Sequence, residues 1–431
     1  MSVREEGPLP VVPAAWEPSG GLPALRITNV KTIQTAPDGI GLTVVKVETN
    51  EPGVYGVGCA SYLTRPAAVI AAIEEYLKPL VIGRDPNDIE DVWQVGHLSG
   101  YWRTGPVLNN ALSGIDMALW DIKGKRAGMP VYQLLGGKCR KAAPVYSHAS
   151  GRDFQEVADS ALRLQEEGFR YIRCQVEVPG NATYGVDDRT PEDPYPPHLR
   201  LKQGTWNFSA YTRIVPRLFD YLRSHLGEEI ELLHDIHEHL PPIMAIALAK
   251  ELERFRLFFL EDPFAPEDTG YFPLLRQHNS IPIAMGELYV NPAEYVPLIA
   301  DRLIEFIRCH ISAIGGITPA RKLANYCEFF GVRTAWHGPG DVSPIGHAAN
   351  LHLDLASPNF GIQECYRFGP NAREVFPGTP EIRDGALWSN DRPGLGIDIN
   401  EEFASRFPVP EHPLNGSIVH VRQPDGTLIR W

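Results

Sequence analysis

The chain has 431 residues, too many for one ordinary domain, but a length that fits a barrel of about 250 residues and a smaller domain. Its formal net charge of −13 argues against nucleic acid as a partner, because a phosphate-binding surface needs clustered lysine and arginine. The sequence contains no apolar stretch of roughly 18 residues, and its six cysteines have no CxxC spacing. We therefore expect a cytoplasmic protein with reduced thiols, without a membrane span or a zinc site.

The first part of the chain predicts a leader and a small α+β capping domain. Residues 1–24 include a proline-rich run and are expected to form a flexible leader. Residues 25–142 begin with three alternating segments, ALRITNVKTIQT, GLTVVKVETN and VYGVGCAS, which are typical of an antiparallel meander. Ala67 to Leu80 and the segment ALSGIDMALWDIKGKRAG then repeat apolar residues at helical spacing.

Residues 143–385 alternate strands with helices, which predicts an α/β barrel. Eight strands are enough to close it, and they are predicted in AAPVYSHAS, FRYIRCQV, ELLHDIHEHL, LFFLEDPFAPED, IPIAMGEL, IEFIRCHIS, VRTAWHGP and FGIQECY. An insert from Val178 to Thr205, rich in proline, aspartate and arginine, follows the second strand. We expect it to cover the barrel mouth as a lid, and a disordered linker is the alternative. Residues 386–431 are expected to return to the capping domain.

Three of the barrel strands lead into an acidic residue at equal spacing. Asp235, Glu261 and Glu287 are 26 residues apart, about the length of one strand, one returning helix and two loops. Each carboxylate alone could cap a helix or pair with an arginine. Three carboxylates at one barrel mouth repel one another unless a cation lies between them, and hard oxygen ligands suit Mg²⁺. The spacing therefore predicts a magnesium site.

Other polar residues at strand ends are candidates for proton transfer. A magnesium ion at this site could hold a substrate carboxylate and stabilise the ene-diolate that forms when the neighbouring proton is removed. His237 lies two residues beyond Asp235 and is expected on the same side of the strand. Tyr184 in the insert is the second candidate, because the nearby guanidinium of Arg173 would lower the pKa of the phenol.

The motifs HDIH, LEDP, GE and GIQE, the cap segment ALSGIDMALWDIKGKRAG and the ending PGLGIDINEEFASRFP resemble the enolase superfamily, in particular its mannonate dehydratase subgroup. The likeness covers nearly everything from Leu25 to Trp431. It implies a modified TIM barrel of the (β/α)7β type with a capping domain. It also implies Mg²⁺-dependent dehydration of a six-carbon sugar acid, D-mannonate or D-gluconate, to a 2-keto-3-deoxy acid, in a homo-oligomer of four or eight copies.

The resemblance also implies roles for single residues. Arg173 and Tyr184 match the pair that removes the C2 proton, and His237 matches the acid that expels the 3-hydroxyl. The positions that match the family's substrate-binding residues are His148, His337, Asp341 and Glu364. The second strand has Arg173-Cys174-Gln175 in place of a Lys-x-Lys pair, which argues against the lactonising and racemase branches.

Three departures from efficient mannonate dehydratases concern specificity. Leu63-Thr64 replaces an Asn-Gly pair in the first cap loop, Pro263 follows the acids Glu261-Asp262, and the segment from Arg173 to Tyr184 is one residue shorter. Members with these features resemble slow mannonate or gluconate dehydratases and the galactonate dehydratase-family or starvation-sensing proteins. The alternative function is a metal-binding, regulatory protein of the same fold with little turnover, or one that acts on another acid sugar.

Overall fold

The structure is a computed structural model that describes residues 24–178, 202–409, 419–423 and 425–430. The predicted leader lies outside these ranges except for its last residue. Most of the predicted lid, including Tyr184, also lies outside the described residues. Among the described residues, no helix is both long and apolar enough to cross a membrane.

A three-stranded antiparallel sheet opens the described chain and confirms the predicted meander. Its strands are adjacent in sequence order: β1 (Ile27–Thr35), β2 (Leu42–Thr49) and β3 (Tyr55–Cys59). Five helices follow: α1 (Pro66–Ala71), α2 (Lys78–Val81), α3 (Ile89–Leu98), α4 (Pro106–Ala127) and α5 (Val131–Leu134). A π-helical segment joins α1 to α2, so the helix is continuous across the stretch that apolar spacing predicts.

Helix α4 is buried on nearly every side because it packs between this sheet and the barrel. On the sheet side, a Cβ atom built on Gly58 of β3 would lie 2.0 Å from the carbonyl oxygen of Gly114. On the barrel side, the indole of Trp120 donates a hydrogen bond of 3.0 Å to the hydroxyl of Thr318. Only glycine at position 58 allows this close approach between strand and helix.

We expect Gly58→Ala to lower the free energy of unfolding by about 3 kcal/mol, because the added methyl group forces β3 away from α4. Denaturant unfolding followed by circular dichroism measures the loss. Gly270→Ala is the matched control, because a Cβ atom there would meet nothing within 4 Å. Equal midpoints for the two variants would show that the contact between β3 and α4 is looser than described.

The barrel strands are parallel and confirm the predicted fold class. They are β4 (Ala143–Gly151), β5 (Tyr171–Val176), β7 (Glu231–Asp235), β8 (Phe259–Glu261), β9 (Ile283–Met285), β10 (Phe306–Ile307), β11 (Arg333–Thr334) and β12 (Gln363–Glu364). Their order is β11-β10-β9-β8-β7-β5-β4, and β12 pairs with the other side of β4. A bridge between Thr334 and Phe360 closes the ring. Between β5 and β7 the chain forms β6 (Lys202–Thr205), which pairs in parallel with β15 (Val419–Arg422) outside the barrel.

Side chains from the strands fill the barrel, so its inside is a packed core. These buried residues are Tyr146, Leu233, Phe259, Ala284, Phe306, Ala335 and Ile362. The surrounding helices are α6 (Phe154–Glu166), α7 (Phe208–Leu226), α8 (Pro242–Leu252), α9 (Phe272–His278), α10 (Pro292–Ala300), α11 (Ile317–Phe330), α12 (Pro344–Ala356) and α13 (Pro370–Val375). Helix α6 begins where the side chain of Asp153 accepts a hydrogen bond from the backbone of Glu156, as its sequence indicates.

The last part of the described chain contacts both domains. An antiparallel hairpin of β13 (Glu381–Arg383) and β14 (Ala386–Trp388) pairs through β14 with the start of β4. The short helix α14 (Glu401–Ala404) lies against the cap sheet, where Lys46 forms an ion pair of 2.7 Å with Glu401. The predicted boundary between residues 385 and 386 falls inside this hairpin. The division of the chain into four parts, 1–24, 25–142, 143–385 and 386–431, stays a proposal.

Candidate active site

Acidic residues meet at the C-terminal ends of three neighbouring barrel strands. Asp235 and Glu261 end β7 and β8 and are paired in register, and Glu287 follows β9 by two residues. The side chains of Asp235 and Glu261 are fully buried, and that of Glu287 is nearly so. The equal spacing in the sequence therefore brings these three acids together, as expected for parallel strands in register.

Arg308, which the sequence analysis did not single out, joins these acids from β10's C-terminal end. Its guanidinium, which is fully buried, lies 2.8 Å from Glu261, 2.9 Å from Asp262 and 2.7 Å from Glu287. It also lies 2.8 Å from Glu364 at the end of β12. The sequence contained one signal for this role. Arg308 stands within the predicted strand segment EFIRCHIS, and an arginine that is buried in a strand needs anionic partners.

A second guanidinium also lies among these acids. Arg173 Nη1 is 2.5 Å from Glu261 and 3.2 Å from Asp235. Its Nη2 is 3.4 Å from His148 Nδ1, and His148 Nε2 is 3.0 Å from Glu364. Since arginine can only donate, Nδ1 of His148 accepts and Nε2 carries the proton that is donated to Glu364.

Carboxylates outnumber the guanidinium groups in this cluster, and the pKa values reflect the excess. Burial raises the pKa of Glu261 to about 8, although both arginines oppose the shift. Burial and repulsion from Glu287 raise the pKa of Asp262 well above its usual range. Although burial acts the other way, His337, His237 and Arg308 lower the pKa of Glu287 to about 2. The cluster therefore needs further positive charge, supplied by protons or by a metal cation.

The donor set fits a hard divalent cation. Asp235, Glu261 and Asp262 each offer an oxygen atom, and these atoms lie within 4.8 Å of one another. Mg²⁺ binds oxygen at about 2.0–2.1 Å, so two of its ligand atoms are at most about 4.2 Å apart. A small inward movement of these side chains is therefore enough for all three to bind one ion. The third acid of this group is Asp262, whereas the equal spacing in the sequence predicts Glu287 as the third ligand. The predicted ligand set of Asp235, Glu261 and Glu287 therefore stays a proposal, with Asp262 as the alternative third ligand.

His237 lies beside the acids in a backbone conformation that is uncommon for residues other than glycine. Its backbone φ is 54°, and its amide donates a hydrogen bond of 2.6 Å to Asp235. The ring nitrogen Nδ1 lies 3.2 Å from Asp235 and 3.6 Å from Glu287. Burial lowers the pKa of this ring, but the two carboxylates outweigh burial and raise it to about 9. Asp235 and Glu287 therefore favour the protonated form of His237, which a proton donor needs.

The other predicted substrate-binding residues surround the same mouth. His337 Nε2 is 3.2 Å from Glu287, and burial lowers the pKa of this ring to about 4, which leaves it neutral. Asp341 follows on the same loop, and burial raises the pKa of its carboxyl group. Another histidine, His310, lies three residues after β10 and accepts hydrogen bonds from the backbone amides of Ser312 and Ala313, which is a structural role. Tyr184 lies outside the described residues.

We expect Arg308→Met to lower the free energy of unfolding by about 3–5 kcal/mol, because it leaves buried carboxylates without their central cation. Denaturant unfolding of protein treated with a chelator measures the effect without metal. Arg308→Lys is the matched control: it keeps the charge, loses the fork of donors and should be the milder change. A loss below 1 kcal/mol for the methionine variant would contradict the proposed central role of Arg308.

Two family models match most of the chain. The model described as "Mandelate racemase / muconate lactonizing enzyme, N-terminal domain" matches residues 25–136, and the model described as "Enolase C-terminal domain-like" matches residues 156–403. The first range corresponds to the cap and the second to most of the barrel, so the two matches agree with the arrangement of the strands and helices.

Curated relatives and solved structures match over nearly their whole length. D-galactonate dehydratase family member RspA from Pantoea ananatis is 57% identical over 417 residues, which cover 94% of this chain and 99% of the relative. A D-galactonate dehydratase family member from Enterocloster bolteae is 48% identical, with the same coverage.

Two solved structures show the same fold. An enolase from Pantoea ananatis with bound D-gluconate and Mg superposes with a TM-score of 0.88 at 57% identity, covering 94% of this chain and 100% of that chain. A member of the enolase superfamily from Salmonella Typhimurium superposes with a TM-score of 0.77 at 25% identity, covering 89% and 98%. The chain therefore belongs to the enolase superfamily and, within it, to the D-galactonate dehydratase family.

Proposed function

We propose that the protein is a Mg²⁺-dependent acid-sugar dehydratase that converts D-gluconate, D-mannonate or both to 2-keto-3-deoxy-gluconate. The observation that carries the proposal is the buried cluster of carboxylates at the barrel mouth, with Arg173 and His237 beside it. The 57% identity to a protein with bound D-gluconate and Mg supports both the substrate class and the ion.

Asp235 and Glu261 would hold the metal together with Glu287, or with Asp262 in its place. When bound there, Mg²⁺ supplies positive charge that holds the substrate carboxylate and stabilises the negative charge that develops after loss of the C2 proton. The guanidinium of Arg173 contacts Asp235 and Glu261, so these two acids already accept one positive charge.

In the proposed reaction Tyr184 removes the C2 proton, and Arg173 assists by favouring the phenolate. This assignment depends on the resemblance of the sequence to mannonate dehydratases, because Tyr184 lies outside the described residues. Arg173 is held in place by Glu261 and by His148, so its guanidinium is positioned before substrate arrives.

His237 would donate the proton that converts the 3-hydroxyl into water as the C3–O bond breaks. The protonated state that Asp235 and Glu287 favour suits this role, because a neutral imidazole is a much weaker acid. Loss of the C2 proton and of the 3-hydroxyl leaves an enol, which becomes the 2-keto acid when C3 takes up a proton.

Polar groups around the mouth would bind the hydroxyl groups of the sugar acid. His148 is hydrogen-bonded to Glu364, and Nε2 of His337 lies 3.2 Å from Glu287 and 3.8 Å from Glu364. Asp341 follows on the loop after His337. We propose these four residues as the substrate-binding set, as the sequence analysis expected.

A substrate screen tests the proposal. Purified protein with Mg²⁺ is incubated with a library of C5 and C6 aldonic and uronic acids, and formation of 2-keto acid is scored. We expect turnover of D-gluconate or D-mannonate that stops when Mg²⁺ is removed by a chelator and resumes when it is restored. No 2-keto acid from any member of the library would favour a metal-binding or regulatory protein of the same fold.

Assembly and location belong to the same proposal. We infer a homo-oligomer of four or eight copies, as the resemblance to the mannonate dehydratase subgroup implies. We also infer a cytoplasmic location, which is the simplest account of six cysteines without CxxC spacing. Analytical ultracentrifugation of the purified protein tests the assembly, and cell fractionation tests the location. A monomer at micromolar concentration, or recovery from the membrane fraction, would contradict these two inferences.

A further inference from the structure

A cavity of about 530 Å³ lies at the end of the barrel opposite to the carboxylates. Strand β14 defines this end, because its Leu387 pairs with Ala143, the first residue of β4. The cavity is lined by the hairpin of β13 and β14, by the segment after it and by His352 of α12. Its volume is within the range of about 300–1,000 Å³ that is typical of small-molecule sites.

Positive charge is concentrated around this cavity, although the chain as a whole is acidic. Arg373, Arg383 and Arg392 line it together with one acid, Glu381, so the formal charge of its lining is +2 (three minus one). Arg383 lies over the ring of Trp388 at 4.8 Å and is 3.9 Å from Glu381. On a chain of net charge −13, these arginines favour an anionic ligand.

One side-chain donor of the cavity lining has no acceptor among the described residues. Nε1 of Trp388 is buried and finds no hydrogen-bond partner among the described residues. A buried N–H group without an acceptor is costly, so an acceptor from a ligand would be favoured here.

We propose that this cavity binds a small metabolite that carries a phosphate monoester. A monoester has a charge of about −1.5 to −2 at pH 7, which matches the +2 of the lining. Guanidinium groups fit phosphate oxygens with two donors at once, and the indole N–H of Trp388 supplies one more. A single carboxylate would leave one positive charge without a partner.

Calorimetry on the full, Mg²⁺-loaded protein tests this site with glucose 6-phosphate as the probe and glucose at equal ionic strength as its control. We expect one probe molecule to bind per chain. Arg373→Gln combined with Arg392→Gln should weaken binding at least tenfold, and Trp388→Phe several-fold. Arg406→Gln is the matched control, because Arg406 is an exposed arginine whose partner is Glu402, outside the cavity.

The Glu261→Gln variant separates this site from the barrel mouth, because it should still bind the probe. If Glu261→Gln loses the probe while the double arginine variant keeps it, the phosphate binds at the mouth and the proposal is wrong. Absence of binding heat overturns it as well. If the double variant forms a smaller assembly in ultracentrifugation and the unmodified protein binds no probe, an acidic side chain of a second copy occupies the cavity instead.

Discussion

Replacement of Glu261 by glutamine is expected to abolish turnover together with Mg²⁺ binding. Glu261 ends β8 at the centre of the acidic cluster, and its side chain is fully buried. Glutamine has nearly the same shape, but it removes one negative charge and presents an N–H₂ group where the metal needs an oxygen. Calorimetric titration with Mg²⁺ measures the loss of affinity, and the 2-keto acid assay measures the loss of turnover.

Glu228→Gln is the matched control for this experiment, because Glu228 is an exposed glutamate whose partner is the surface residue Arg256. It should leave both measurements unchanged. Undiminished Mg²⁺ affinity in Glu261→Gln would remove Glu261 from the ligand set.

The same titration of Asp262→Asn and Glu287→Gln distinguishes the two candidates for the third ligand. The variant that loses more Mg²⁺ affinity identifies it, because only a direct ligand contributes a full metal–oxygen bond. Both residues contact Arg308, so the loss of an ion pair is common to the two variants.

Substitution of the two proposed proton-transfer residues is expected to stop the reaction at different steps. Tyr184→Phe should lose dehydration by several orders of magnitude and should also lose exchange of the C2 hydrogen with solvent, because the C2 proton is never removed. His237→Asn should lose dehydration as well. It should still exchange the C2 hydrogen, provided that Tyr184 exchanges its proton with water before returning it to C2. Proton NMR in deuterated water measures exchange and product together.

Metal content must be checked first in both variants, because His237 contacts Asp235 directly. Metal-loaded Tyr184→Phe with near-normal dehydration would show that the assignment is wrong. His237 would then have to serve as both base and acid, which is geometrically allowed for a syn elimination, where both protons move on one face of the substrate.

The acids of the site could be predicted from the sequence because strand length and helix length are nearly constant in a βα barrel. Asp235, Glu261 and Glu287 follow apolar runs at an equal spacing, and strands in parallel register bring such residues to one end. His237 could be placed for the same reason, since it is two residues beyond Asp235. The order of residues along the chain is therefore enough to predict where these four side chains lie.

The partners of those acids depended on the tertiary structure. Arg308 contacts Glu261, Asp262, Glu287 and Glu364, and its sequence position does not reveal which of them its guanidinium reaches. That choice depends on the side-chain rotamer and on the closure of the ring through β12 and β4. Asp262 belongs to the same cluster, and its backbone has a left-handed conformation with φ of 38°, which residue type alone does not indicate.

By itself, the sequence determined the fold class, the capping domain and the strand ends at which the chemistry is proposed, because these follow from hydrophobic periodicity and chain length. Only the tertiary structure decided the arginine partners, the alternative third ligand and the cavity at the far end. The cavity brings α12 together with β14, and the pairing of Leu387 with Ala143 joins residues far apart in sequence. Such contacts arise from packing between distant segments, and a local pattern in one segment does not specify its partner.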